Sequence, residues 1–434
     1  METSNKQSEE NNLQENATPN SMEATENIKA TENTKAAEDF KVAKDKATPK
    51  AKSGIALLII GILAMLGGGA CFAIPFFIPK EERASLQFPK IPSSTAENSD
   101  EKFYSRLSGE QLADANSVTA PIYCVQTPNG LDGARPQSGL NEAGVVFEAI
   151  AERGITRFAA LYQNAETAII GPIRSLRLYY LEWDTPFDCT IVHAGGADDA
   201  LAAVRNGNYK DLTENYTYMY RGNYNYHLWN NLFTTPDLLS ANSNDNNRTT
   251  SNATGFTRIT PEQAQRDLIN SQIQNPLDIT KPAQGSTTSL EPSVTEINVN
   301  FGQNNDYNVR YIYNTYTNSY DRYYANGTEH DVYDCPAENL YGKDPQDVCN
   351  TVQLSPKIVI VMGVNESVAS DNYHENITTT GTGKATIYQN GIAISGTWTK
   401  ASAGDQIRFY DQSSKEIALI PGQTWISAVP NYLF

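Results

Sequence analysis

Residues 145–162 read "VVFEAIAERGITRFAALY", two runs of β-branched, aromatic and small residues on either side of Arg153-Gly154. The glycine supplies the positive φ that a tight two-residue loop needs, so the stretch predicts a hairpin. Side chains alternate along a strand. That register puts Val145, Phe147, Ala149, Ala151, Thr156, Phe158, Ala160 and Tyr162 on one mostly apolar face, expected to be core. The opposite face gathers Glu148, Glu152 and Arg157 among Ile150, Ile155 and Ala159, with Arg157 across from Ile150 and diagonal to both acids. Such a set is ordinarily an ion pair on a solvated sheet face; a functional site is the alternative.

Just downstream, "IIGPIRSLRLYYLEWDT" (169–185) ends a strand or loop at Gly171-Pro172 and has helical spacing from Ser175 to Trp183, with Ser175 as its N-cap. Arg174 and Arg177 would flank the unpaired N–H groups of that helix start, an arrangement that binds carboxylates and phosphates. "CTIVHAGGADDALAAVRNG" (189–207) then predicts a strand from Cys189 to Ala194, a turn at Gly195-Gly196 and a helix from about Asp198 to Asn206. Ligands gather at such strand ends. Asp198 and Asp199, however, already satisfy the helix dipole and would repel an anion.

The remaining pattern is strand-dominated. "NVRYIYNTYTNSYDRYYANGTEHDVYD" (308–334) alternates and turns at Asn326-Gly327, "KIVIVMGV" (357–364) is a short apolar strand, and "KATIYQNGIAISGTWTK" (384–400) is a hairpin over Asn390-Gly391. "QIRFYDQSSKEIALIPGQTWISAVP" (406–430) is expected to close the chain as another strand pair. Two units result, an N-terminal α/β domain over 118–270 and a C-terminal β-rich domain over 294–434, joined by a linker at 271–293. Residues 240–255, "SANSNDNNRTTSNATG", read as a low-complexity loop. Cys335 and Cys349 bracket one loop-rich stretch and suit a disulfide in an oxidising compartment. Cys124 and Cys189 would pair only if their strands are neighbours.

Ahead of these units, residues 54–79 carry no charge across "GIALLIIGILAMLGGGACFAIPFFIP", long enough to cross a bilayer as one helix. Lys44, Lys46, Lys50 and Lys52 precede it, which puts residues 1–53, a polar tail too poor in aromatics to fold, in the cytoplasm. Residues 80–117 read as a stalk. A cleaved signal peptide and a lipidated Cys71 are the competing readings of the apolar run. The expected fold class is therefore α+β, with a two-domain exterior portion on a single transmembrane helix at the outer face of the membrane.

A formal net charge of −17 over 434 residues argues against nucleic acid as a partner. The four histidines, at 193, 227, 330 and 374, show no metal-binding spacing, and neither a nucleophile elbow nor a phosphate loop is present. No metal and no cofactor are expected.

Taken together, "ARPQSGLNEAGVVFEA", "ERGITRFAALYQ", "GPIRSLRLYYLEW", "TIVHAGGADDAL", "YYANGTEHDVYD", "GTWTK", "IRFYD" and "LIPGQTWISAVP" resemble the YerB family of bacterial lipoproteins in the same order, from Leu107 to Pro430. The resemblance implies an envelope-facing protein with YerB-like N- and C-terminal domains and no activity attached. It carries the family's positions onto Arg135, Glu148, Arg157, Arg174, Ser175, Arg177 and His193. Two departures stand out: Asn230 occupies a family histidine position, with His227 three residues earlier, and a full-length apolar run takes the place of the lipidated cysteine.

Three functions follow as expectations. The first is a binding module holding an anionic envelope polymer or glycan through Arg135, Arg157, Arg174, Ser175, Arg177 and His193. A hydrolase or transferase would instead use Glu148 or Glu152 as acid or base and His193 as proton carrier, and needs Glu148 and His193 in one cleft. In a purely structural protein the same arginines would be buried ion pairs with the glutamates.

Overall fold

A computed structural model describes residues 101–221, 231–273, 294–302, 304–336 and 340–434. The tail, the apolar run 54–79, His227, Asn230 and linker residues 274–293 lie outside them. Among the described residues no helix is long and apolar enough to cross a membrane.

Ten strands form one mixed sheet. In chain order they are β1 (Tyr123–Pro128), β2 (Val145–Glu152), β3 (Ile155–Tyr162), β4 (Thr190–Val192) and β5 (Asp211–Leu212). A separate three-stranded sheet follows, of β6 (Glu296–Val299), β7 (Val309–Asn314) and β8 (Ser319–Tyr324). The large sheet is completed by β9 (Ile358–Val364), β10 (Gly381–Gln389), β11 (Ile392–Lys400), β12 (Arg408–Asp411) and β13 (Thr424–Pro430). Its spatial order is β12-β11-β10-β9-β13-β2-β3-β1-β4-β5. The N- and C-terminal blocks therefore share one hydrogen-bonded sheet.

The strand that joins them is the last. Rather than pairing with β12, as the sequence pattern suggested, β13 runs parallel to both β9 and β2, with Thr424 opposite Ile358 on one side and Val145 on the other. Every residue of β13 is buried, which suits a central strand with parallel neighbours better than an edge. The Asn390-Gly391 hairpin forms as expected, both residues at positive φ.

The decisive hairpin forms too, but with a slipped register. Arg153 and Gly154 make the turn at positive φ and Glu152 pairs with Ile155. A bulge between Ile150 and Glu152 then shifts the ladder, so Ile150 faces Thr156 and Ala149 faces Arg157. One extra residue exchanges the faces of the strand beyond it. Glu148 consequently lies on the face of Phe158, while Glu152 and Arg157 stay together on the face of Phe147 and Ala149.

Neither face is solvated; all eight residues of β2 are buried. One face packs under helices α1 (Leu178–Asp184) and α2 (Asp198–Asn206), in a core with Phe147, Tyr180, Trp183, Phe187 and Ile426. The other is covered by the β6-β7-β8 sheet and α3 (Pro236–Asp245), in a core with Phe158, Tyr311, Tyr320 and Trp425.

Three further expectations change. Helix α1 begins at Leu178 behind Arg177, and Ser175 does not cap it; Leu176 is drawn into a bridge with Gly196, which keeps 174–176 extended. Part of the low-complexity loop is α3, capped by Thr235, whose side chain accepts from Leu238 N–H, and started by Pro236. Residues 101–117 of the expected stalk fold onto the domain, pairing Phe103–Tyr104 with Gln111–Leu112 and burying Leu107 in the core.

Candidate functional site

The slipped register divides the expected site into two networks on opposite sheet faces. On the helix-covered face Glu152 is gripped by two arginines, Arg157 Nη2 at 2.8 Å on Oε1 and Arg177 Nη2 at 2.7 Å on Oε2. All three are buried. Arg157 Nη1 also donates to the Ser175 carbonyl at 2.8 Å, and Tyr180 Oη donates to the Arg157 carbonyl. These contacts fasten the segment ahead of α1 to the bulged end of β2. Burial and the neighbouring Arg177 pull the Arg157 pKa down, while Glu152 opposes them.

On the other face Glu148 is completely buried. Arg322 of β8 reaches it through Nη2, 2.9 and 2.7 Å from its two oxygens, Trp425 of β13 donates Nε1–H at 2.8 Å, and Thr156 donates at 3.1 Å. Desolvation pulls the Arg322 pKa down, but Glu148, Tyr311 and Tyr324 together more than offset it, and the pKa lies above its ordinary value.

A relay runs from this carboxylate towards the surface. Asn129 Nδ2 donates to Thr156 Oγ1 at 2.7 Å, and Arg135 Nε donates to Asn129 Oδ1 at 2.8 Å. His330 closes a second branch, with Nδ1 against Arg322 Nη1 and Nε2 3.1 Å from Gln137 Oε1. Burial, then the charges of Arg322 and Arg135, push its pKa well below the ordinary value, so the ring is neutral. Nδ1 then accepts from Arg322, and Nε2–H donates to Gln137.

Arg135 ends the relay half-buried. Its guanidinium carbon lies 4.0 Å from the Tyr324 ring centroid and 5.1 Å from that of Tyr307. Its hydrogen bonds go to neutral acceptors, the Asn129 carbonyl and Oδ1 and the Asp306 carbonyl. The Tyr324 hydroxyl beside it is buried without a hydrogen-bond partner among the described residues.

The other predicted residues are placed as follows. His193 is buried at the end of β4, with Nδ1 2.6 Å from the Gly195 carbonyl and Nε2 2.8 Å from Asp211 Oδ1. Both ring nitrogens face acceptors, and His193 shares no hydrogen bond with Glu148. Arg174 is half-buried with Asp132 among its charged neighbours, and its backbone N–H donates to the Gln126 carbonyl at 2.8 Å. Both cysteine pairs are disulfides, Cys124–Cys189 and Cys335–Cys349; β1 and β4 are indeed parallel neighbours. Among the described residues no cluster of His, Cys, Asp or Glu has the makings of a metal site.

Sequence reasoning passed over Arg322, Trp425, His330, Asn129 and Gln137 as site residues. Gln137, His330 and Trp425 lie inside blocks that resemble the family, a signal that was present; nothing local marks Arg322 as the partner of Glu148.

Residues 107–250 match the N-terminal domain, and residues 297–426 the C-terminal domain, of a protein of unknown function, DUF3048. A curated relative from Bacillus subtilis (strain 168), "Putative lipoprotein YerB", is 28% identical over 304 residues, 69% of this chain and 78% of the relative. The crystal structure of YerB protein from Bacillus subtilis aligns with TM-score 0.57 and 21% identity, over 76% of this chain and 97% of that one, a likeness of fold.

Proposed function

We propose, from the premise that this chain belongs to the DUF3048 family that includes YerB, that it is a membrane-held envelope protein which binds an anionic envelope component at Arg135. The observation that carries the reading is the state of that arginine: half-buried, over the rings of two tyrosines, and hydrogen-bonded among the described residues to neutral groups alone. A fixed guanidinium without a carboxylate in contact is prepared for a phosphate or carboxylate from outside. Membrane attachment would come from residues 54–79, as a span or through Cys71.

Arg157 and Arg177 favour a different role. Both are committed to Glu152, which fits the structural reading for that half of the expected site. The hydrolase reading loses support because Glu148, Glu152 and His193 are each enclosed by their own partners. Titrating the purified full chain with poly(glycerol phosphate) and with polygalacturonate is expected to give saturable, salt-sensitive binding to at least one, weakened about ten-fold or more by Arg135→Ala. Lys384→Ala, at an exposed position, should leave it unchanged. Absence of binding to both polymers, or binding indifferent to Arg135→Ala, refutes the reading.

A further inference from the structure

A cleft of about 600 Å³, with Arg135 not among its lining residues, lies where the Phe103–Tyr104/Gln111–Leu112 hairpin, the turn into β2 and the segments around Gln353 and Gln423 meet. Its size is that of a small-molecule site, but its walls are polar, with Leu107 and Leu112 the main apolar contributions. Several amides in these walls have their nitrogen ends already used. Gln423 Nε2 donates to the Leu140 and Ala143 carbonyls at 3.0 and 2.8 Å, and Gln163 Nε2 to those of Val118 and Ala120 at 3.1 and 3.0 Å. Gln353 Nε2 donates to the Arg322 carbonyl at 3.1 Å, and Asn164 Nδ2 to that of Ser117 at 2.8 Å. Gln163 Oε1 accepts from Ser105 Oγ at 3.3 Å, while the side-chain oxygens of Gln423, Gln353 and Asn164 accept no hydrogen bond among the described residues. Asn141 Oδ1 is buried beside them without a hydrogen-bond partner among the described residues.

Glu110, Glu142 and Glu166 line the same cleft. The Glu142 carboxyl is held above its ordinary pKa by lost hydration first and then, against a hydrogen bond from the Glu166 backbone, by the charges of Asp334, Glu166 and Glu110. Against these three acids the described wall holds one cation, Lys357, and Arg258 interacts with the charge of Glu110. Lys357 Nζ donates to the Thr317 carbonyl, while Arg258 beside the cleft spends its fork on the carbonyls of Ile420 and Gly422 and on Thr424 Oγ1.

A surface rich in acceptors and negative in potential calls for a ligand rich in donors and positively charged. We infer that this cleft binds a saccharide bearing a protonated amine, its ammonium donating to Glu142 and Glu166 and its hydroxyls to the amide oxygens. The scarcity of apolar wall favours a polyol over a basic peptide, whose aliphatic stems would need covering. This site is separate from Arg135 and opposite to it in charge preference.

The test uses the full chain and three probes: a glucosamine tetramer below the pKa of its amines, its fully N-acetylated counterpart, and tetralysine. The glucosamine tetramer is expected to bind at least about ten-fold more tightly than the other two. Glu142→Gln with Glu166→Gln, both exposed positions, should lower its affinity about ten-fold or more without moving Tm, while Arg135→Ala should leave it intact. Equal binding of the N-acetylated tetramer, equal binding of tetralysine, no binding of any probe, or affinity unaffected by the double glutamine variant each overturns the inference.

Discussion

Asp184 shows how far burial alone can set the state of one side chain. At the end of α1, one residue past the run read as helical, it is fully buried, with Oδ2 accepting from Gln126 Nε2 at 2.8 Å. Its Oδ1 and the Gln126 Oε1 have no hydrogen-bond partners among the described residues. Burial pushes its pKa well above the ordinary carboxylate value, with the Gln126 bond opposing. Above an unfolded-state value of about 3.9, the native chain keeps a proton that the unfolded chain releases, so stability falls as pH rises towards the native pKa. Asp184→Asn removes that proton and offers Gln126 both a donor and an acceptor. The variant should lose this pH dependence in urea titrations and gain on the order of 1–3 kcal/mol above neutrality; an unchanged pH profile would count against a protonated Asp184. The sequence showed an acid here, but a raised pKa depends on the depth of apolar cover, which comes from residues distant along the chain.

Among elements, the legible parts are those set by local geometry. The Arg153-Gly154 and Asn390-Gly391 turns, helix Asp198–Asn206 and strand Ile358–Val364 follow from φ preferences and periodicity. The bulge in β2 was not legible, because its neighbours on both sides, β3 and β13, decide which backbone groups pair. With that bulge went the expected grouping of Glu148 with Arg157. Glu148 instead ties β2 to β8 through Arg322 and to β13 through Trp425. Arg322→Met should cost about 3–5 kcal/mol in denaturant unfolding, because it strands a buried carboxylate. Adding Glu148→Leu to that variant should recover most of the loss; recovery of none of it would mean that the pair does not act as a unit. Likewise Thr235-Pro236 was a readable helix start just ahead of a segment whose composition suggested a loop, and the helix runs on into that segment as far as Asp245.

For the whole molecule the arrangement of β13 has the largest consequence. It lies between β9 and β2, so the last strand of the chain completes the sheet of both family blocks. Unfolding of the described region should therefore be one cooperative transition. Truncation after Gln423 should abolish it, leaving β2 and β9 as open sheet edges that associate between molecules. Two separate transitions in the intact chain, or a truncated chain that still melts cooperatively, would contradict this coupling. By itself the sequence determined the strands with local turn signals, the mixed α and β content, the apolar run at residues 54–79 and the family, since each is written in periodicity, composition or consecutive motifs. Only the tertiary structure decided which charges meet. The partners of Glu148 come from β8 and β13 and those of Glu152 from β3 and the segment before α1, and a one-residue bulge selects the face each carboxylate occupies. Pairing across such separations depends on sheet order and register, which arise when the whole chain packs.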